Sequence, residues 1–455
     1  MGDITRTATD KRRSRVADYN GGIFVGGQTA DDPPTNEACP HSTWTNRLLR
    51  ASRQSIRRKC DEPALGICSS AWRCNSDNTN EPIHREGNAA MRKPIDKHLT
   101  RSAGRTGWGA RFLCATAIML ACCLSLGAQQ ASAADAPLVL EKTFPIPHVP
   151  LGPYTDHMAL DLAGGRLFAS PQAAKEIAVI DLKDGHVMKT LPVGNPHGLY
   201  FSPTLKRLFV TDGATGDLMV FSTEDYSLIR RIPLLLGADA VIFDPKTQLL
   251  YVTNGGDHAK MDHAIISAVD VTRMEKMADI SIATPGELEA AVIDSAKQML
   301  YVNLYSDSAV AAVDLKTRQQ VGTWKLPEGI HYNIGMAIDA AHSRLYVASR
   351  DTSVRGTVIV MDTANGHVIK TLPIGGWADG ISIDPERRRF YVSAGVGQID
   401  TYTIEAKDVY HRLPGVDTAV LAKTSLYSKE LDRLFVSVPT LGATEAQVMV
   451  FKPAP

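Results

Sequence analysis

Over residues 138–455 the sequence predicts an all-β fold, a seven-bladed β-propeller built from four-stranded antiparallel blades. Three observations predict it. A short apolar phrase recurs seven times, strand and turn signals alternate around each copy, and the last unit lacks a strand that the first segment supplies.

The phrase reads RLFAS at 166, RLFVT at 207, LLYVT at 249, MLYVN at 299, RLYVA at 344, RFYVS at 389 and RLFVS at 433, with copies 41 to 50 residues apart. An apolar strand ending near Asp or Pro precedes each copy, as in AVIFDP (240–245) and GISIDP (380–385). A third strand follows, as in EIAVIDL (176–182), AVAAVDL (309–315) and TVIVMDT (357–363). A fourth segment closes the unit: KTLPVG at 189, KLPEG at 325 and KTLPIG at 370. One such sheet cannot bury both of its faces, whereas seven stacked around an axis can, so the phrase must recur. The final unit stops after QVMVFK (447–452), and LEKTFPIP (140–147) reads like the missing fourth strand. The N-terminal strand is therefore expected to complete the last blade and leave no open edge.

Charge and cysteine separate the first 133 residues from the rest. From Ala134 onward there are 37 acidic and 30 basic residues, a net of −7, although the whole chain is balanced. An acidic body argues against a nucleic-acid partner, which needs phosphate-binding cations. All seven cysteines precede residue 134, so the main body offers no disulfide, thiol nucleophile or thiolate metal ligand. Met91 opens a basic stretch followed by FLCATAIMLACCLSLGA and by Ala131-Ser132-Ala133, the pattern of a cleaved signal peptide over 91–133. The apolar run is shorter than the roughly 20 residues of a spanning helix. MLAC at 119–122 fits a lipoprotein signal less well, because Met119 is a poor match. The expected destination is the periplasm, the mature chain carrying no membrane span and acting as a monomer. Residues 1–90 show no sustained period of 2 or 3.6 and are expected to be a disordered or untranslated extension ahead of a start at Met91.

LYVTN at 250–254, with RLFVT, MLYVN and RLYVA, resembles the YVTN-type β-propeller repeat family over nearly all of residues 138–455. The resemblance implies an exported seven-bladed propeller. It assigns no catalytic residue, because the motif is structural and the fold serves many functions.

Aligning the inner strands on their terminal Asp or Ser brings Asp156, His197, Asp239, Glu289, Ile334, Asp379 and Lys423 to one position, five residues earlier. Seven-fold geometry points equivalent positions at one axis, so a charged ring is expected at the channel mouth. Carboxylates gathered there repel one another unless a cation, a cationic ligand group or protonation offsets them. The loop after LYVTN, GGDHAKMDH, is expected on the same face. The expected ligand-binding set is Asp156, His157, His197, Asp239, Glu289, His331 and Asp379. The expected ligands of a divalent metal are His197, Asp239, Glu289, His258 and His263. Imidazole mixed with carboxylate suits Zn²⁺, and carboxylates with few histidines suit Ca²⁺. The competing reading is a hydrated channel whose polar rim contacts only water.

Nucleophilic catalysis lacks its signatures: there is no G-x-S-x-G elbow, no P-loop and no C-x-x-C-H haem attachment. A lactonase-like hydrolase would draw its water-activating group from His157, His197 or Glu289 and an anion-holding group from Arg350 or Arg355. The expected role is binding of a small molecule, a metal or a periplasmic protein partner at the channel mouth, with metal-dependent lactone hydrolysis as the alternative.

Overall fold

The computed structural model describes residues 136–351 and 354–455. The readings made for residues 1–90 and 91–133 lie outside them. Seven small antiparallel sheets form a ring of blades. Their inner strands are Met158–Asp161, Pro196–Ser202, Val241–Asp244, Leu288–Asp294, Asn333–Asp339, Ala378–Asp384 and Thr424–Ser428. Each is followed by a strand carrying the recurrent phrase, such as Arg166–Ala169 or Leu249–Gly255.

The phrase works because both of its faces are covered. In Arg166–Ala169, Leu167 packs toward the last blade while Phe168 packs toward the second. The same division repeats around the ring and yields seven apolar clusters, one at each junction between neighbouring blades. The recurrent Asp at strand ends has a separate cause. Asp161 accepts from the Gly164 amide (2.8 Å), Asp270 from those of Thr272 (2.8 Å) and Arg273 (2.9 Å), and Asp314 from that of Lys316 (2.8 Å). These carboxylates satisfy the amides of the tight turns that reverse the chain.

The last blade closes as expected. Leu138–Pro145 pairs with Gln447–Pro453 from Leu138↔Pro453 to Pro145↔Gln447, with one bulge between Leu140 and Lys142. Phe144 is buried in the junction with the first blade. Two details differ from the sequence reading. The outer strand of the fourth blade is Gln319–Lys325, so KLPEG mostly follows it instead of forming it; Pro327 cannot donate to a ladder. The sixth sheet has five strands, because Val409–Arg412 and Val416–Asp417 both pair with the long strand Gln398–Ala406. No helix among the described residues is long and apolar enough to cross a membrane.

Candidate functional site at the channel mouth

The inner strands approach one another so closely that the residue after the ring position is often Gly or Ala. A Cβ on Gly335 would lie 2.0 Å from the Asp379 carbonyl oxygen, and one on Gly198 would lie 2.4 Å from that of Asp239. In four blades the ring position also falls in a break of the strand register: between Pro196 and Leu199, Leu288 and Ala291, Asn333 and Gly335, and Ala378 and Ile381. A bulge leaves its residue outside the ladder and re-aims the side chain. His197, Glu289, Ile334 and Asp379 occupy those breaks.

Asp156, His197 and Asp239 form the tightest group. His197 Nδ1 donates to Asp156 Oδ2 at 2.9 Å and faces Asp239 Oδ1 at 3.3 Å. Gln172 Nε2 donates to Asp156 Oδ2 at 3.1 Å. The Asn195 side-chain amide, whose two ends exchange by rotation, closes on His197 Nε2 at 2.7 Å. Burial disfavours the imidazolium, but the bonds to Asp156 and Asp239 outweigh it and push the pKa of His197 up to about 11. Burial likewise opposes the charge of Asp156, yet His157 and His197 hold that carboxyl well below the usual range.

Across the mouth a second group forms around Asp379. Lys423 Nζ donates to Asp379 Oδ2, and Arg350 Nη2 lies 3.4 Å from the same oxygen. Burial again opposes the carboxylate, and Lys423 and Arg350 more than offset it, lowering its pKa. The Arg350 guanidinium stacks over Trp377 at 5.0 Å, and Lys423 Nζ sits 5.9 Å from the Tyr154 ring centre. The repulsion expected of the ring is thus relieved largely by cations of the protein itself.

Glu289 lies between the two groups. Its carboxyl makes no hydrogen bond or salt bridge among the described residues. Burial, reinforced by the charges of Glu287 and Asp239, raises its pKa well above the ordinary carboxyl value. Tyr305 stands nearby and pairs with Tyr332, ring centres 5.2 Å apart.

The other expected residues lie outward of this core. His157 is partly exposed, with Nε2 3.5 Å from Asp156 Oδ1. His331 is exposed, with Nδ1 3.1 Å from Ser308 Oγ and its ring edge-on to Tyr332. The loop after LYVTN turns through a short 3-10 segment, Gly256–Ala259. Gly256 is required there: its φ is +61° and a Cβ would strike the Gly286 carbonyl oxygen at 2.6 Å. His258 Nε2 pairs with Glu287 Oε1 at 3.1 Å, and that bond raises its pKa. His263 Nδ1 pairs with the exposed Asp262 at 2.7 Å.

For a metal, the structure brings together Asp156, His197 and Asp239, whose ligand atoms all lie within 4.8 Å of one another. Glu289, His258 and His263 fall outside that group. The donor set suits a borderline divalent ion only once His197 has given up the proton its carboxylate neighbours retain. Sequence reasoning missed Gln172 and Asn195 and placed Arg350 only as an anion-holding group of the hydrolase reading. One signal was available for Arg350: it directly follows RLYVAS, at the exit equivalent to the GGDHAKMDH loop.

Fold and ring together define a β-propeller with a charge-paired channel mouth. No family model matches the chain. Over 99 residues it is 27% identical to the "Uncharacterized protein YncE" of Salmonella typhimurium and 26% identical to the protein of that name from Salmonella typhi. The match covers 21% of this chain and spans only 28% of the length of those relatives. Among solved structures, a chain of Kuenenia stuttgartiensis hydrazine synthase superposes with a TM-score of 0.57 at 15% identity, covering 72% of this chain and 99% of that one. A chain of a mitotic checkpoint complex superposes with a TM-score of 0.56 at 12% identity, covering 71% and 94%. These likenesses show the propeller fold.

Proposed function

We propose that this is an exported, periplasmic propeller of the YVTN-repeat type that binds a small, net-neutral polar molecule at its channel mouth without transforming it. The observation that carries the reading is the state of Glu289. It is a carboxyl without a side-chain hydrogen-bond partner among the described residues, set between two groups of residues that are already charge-paired. Arg350 and Lys423 offer donors, Asp156, Asp239 and Asp379 offer acceptors, and Tyr154, Tyr305, Tyr332 and Trp377 offer ring faces. Such a balanced set favours a sugar-like or zwitterionic ligand over a bare ion.

A hydrolase reading is less well supported. His197 holds its proton to about pH 11, so at neutral pH it is a poor general base. The grouping of Asp156, His197 and Asp239 keeps metal-assisted lactone hydrolysis as the second reading.

Thermal-shift screening of the full chain against sugars and amino acids, followed by calorimetry, tests the first reading. A ligand whose binding is lost in Glu289→Ala and Asp379→Asn supports it. Stabilisation by none of them, together with one equivalent of a divalent metal retained by chelator-free protein and lost in Asp239→Ala/Glu289→Ala, sinks it in favour of the second.

A further inference from the structure

On the face opposite the channel mouth, the turn joining the third and outer strands of each blade reaches toward the preceding blade. Its left-handed residue is Gly185, Tyr226, Met274, Arg318, Gly366 or Asp408 in the first six blades. The wedge between blades is filled at most junctions. Tyr226 lies over Arg166 at 5.6 Å and bonds it through its hydroxyl. Met274 packs into the junction of the second and third blades. Where the turn carries Gly, an aromatic ring from the preceding outer strand takes the space: Trp324 against Gly366 and Phe144 against Gly185. At the sixth-to-seventh junction Arg389 holds the backbone oxygens of Ala454 and Pro455.

The fifth-to-sixth junction departs from this rule. The strand Gln398–Ala406 overruns, its turn shrinks to Lys407 and Asp408 before Val409–Arg412 begins, and Asp408 is drawn onto Arg344 at 2.7 and 2.9 Å. A groove of about 550 Å³ remains. At the last-to-first junction, where Phe144 intrudes, the corresponding space is about 240 Å³.

Ile338, Tyr346, Ile383, Ile404 and Tyr410 give the open wedge an apolar lining. Its carboxylates are engaged: Asp339 with His342 (2.7 Å), Asp384 with Arg387 (3.1 Å) and Tyr391 (2.9 Å), and Asp408 with Arg344. Arg388 and Lys407, also in the lining, are exposed and hold no side-chain hydrogen bond or salt bridge among the described residues. Unspent positive charge therefore borders an apolar slot of small-molecule size.

We infer that this wedge binds an amphipathic anion, a molecule with an apolar body seated between the blades and one carboxylate or similar head held by Arg388 and Lys407. Calorimetry of the full chain with octanoate, and with octanol as the uncharged control, tests it. Saturable one-site binding of octanoate is expected, about tenfold tighter than that of octanol and about tenfold weaker in Arg388→Glu/Lys407→Glu. Ala406→Trp, at an exposed position, refills the wedge and abolishes binding, with unchanged thermal unfolding confirming that the variant is folded. No saturable heat, equal affinity for octanol, or affinity unchanged in both variants overturns the inference.

Discussion

His197 and Glu289 lie in the same mouth but have opposite preferences for charge, and pH separates them. The raised pKa of His197 means that its contribution to stability is fully present below the ordinary imidazole value of 6.5 and is lost as pH rises through about 11. His197→Gln is therefore expected to lower the denaturation midpoint at pH 6 and to lower it much less at pH 11. Glu289 is a carboxyl with a raised pKa, so its stabilising effect is present below 4.5 and declines as pH rises toward the folded value. Glu289→Gln is expected to raise the melting temperature at pH 8, with the difference vanishing near pH 4. An equal shift at both pH values would show that Glu289 is not held protonated. Packing sets a third case. Gly335→Ala forces a methyl against the Asp379 carbonyl and is expected to cost about 3 kcal/mol in chemical denaturation.

Turns and bulges separate what the sequence disclosed about each element from what it concealed. The phrase RLFVT discloses its strand because consecutive side chains, on both faces, are apolar, and VIDL or AVDL discloses the turn because Asp is needed to hold the next amides. Asp270→Ala is accordingly expected to lose about 1 kcal/mol, read from the denaturant midpoint. The ring position was legible from register alone, since every inner strand ends on a countable Asp or Ser. Its pairing was not. Whether His197 meets Asp156 and whether Arg350 reaches Asp379 depend on contacts between blades some 30 or 40 residues apart, and on bulges that no period-2 pattern signals. His258 and His263 show the same limit, for a correctly placed loop left their partners, Glu287 and Asp262, undetermined.

At the scale of the whole molecule, the seven clusters between blades make each blade depend on two neighbours, and only the last blade is built from both ends of the described chain. Deleting residues 138–145 uncovers Gln447–Pro453 along its whole length. The deletion is expected to produce aggregation on refolding, whereas Phe144→Ala, in a buried site, should remain folded and lose about 3–5 kcal/mol. A cooperative melt unchanged by the deletion would show that the seventh blade stands without its fourth strand. The two faces of the ring are chemically unlike: one gathers paired charges at the axis, and the other holds an apolar wedge toward the rim.

The antiparallel closure also has a mechanical meaning. Leu138 lies opposite Pro453, so the two ends of the described chain emerge side by side from one end of the same strand pair. Traction applied between them would peel the backbone hydrogen bonds one after another, a zipper opened from its tab, instead of loading them all together in shear. A ring held together by seven mutually dependent junctions should therefore yield to a small force applied at this one seam.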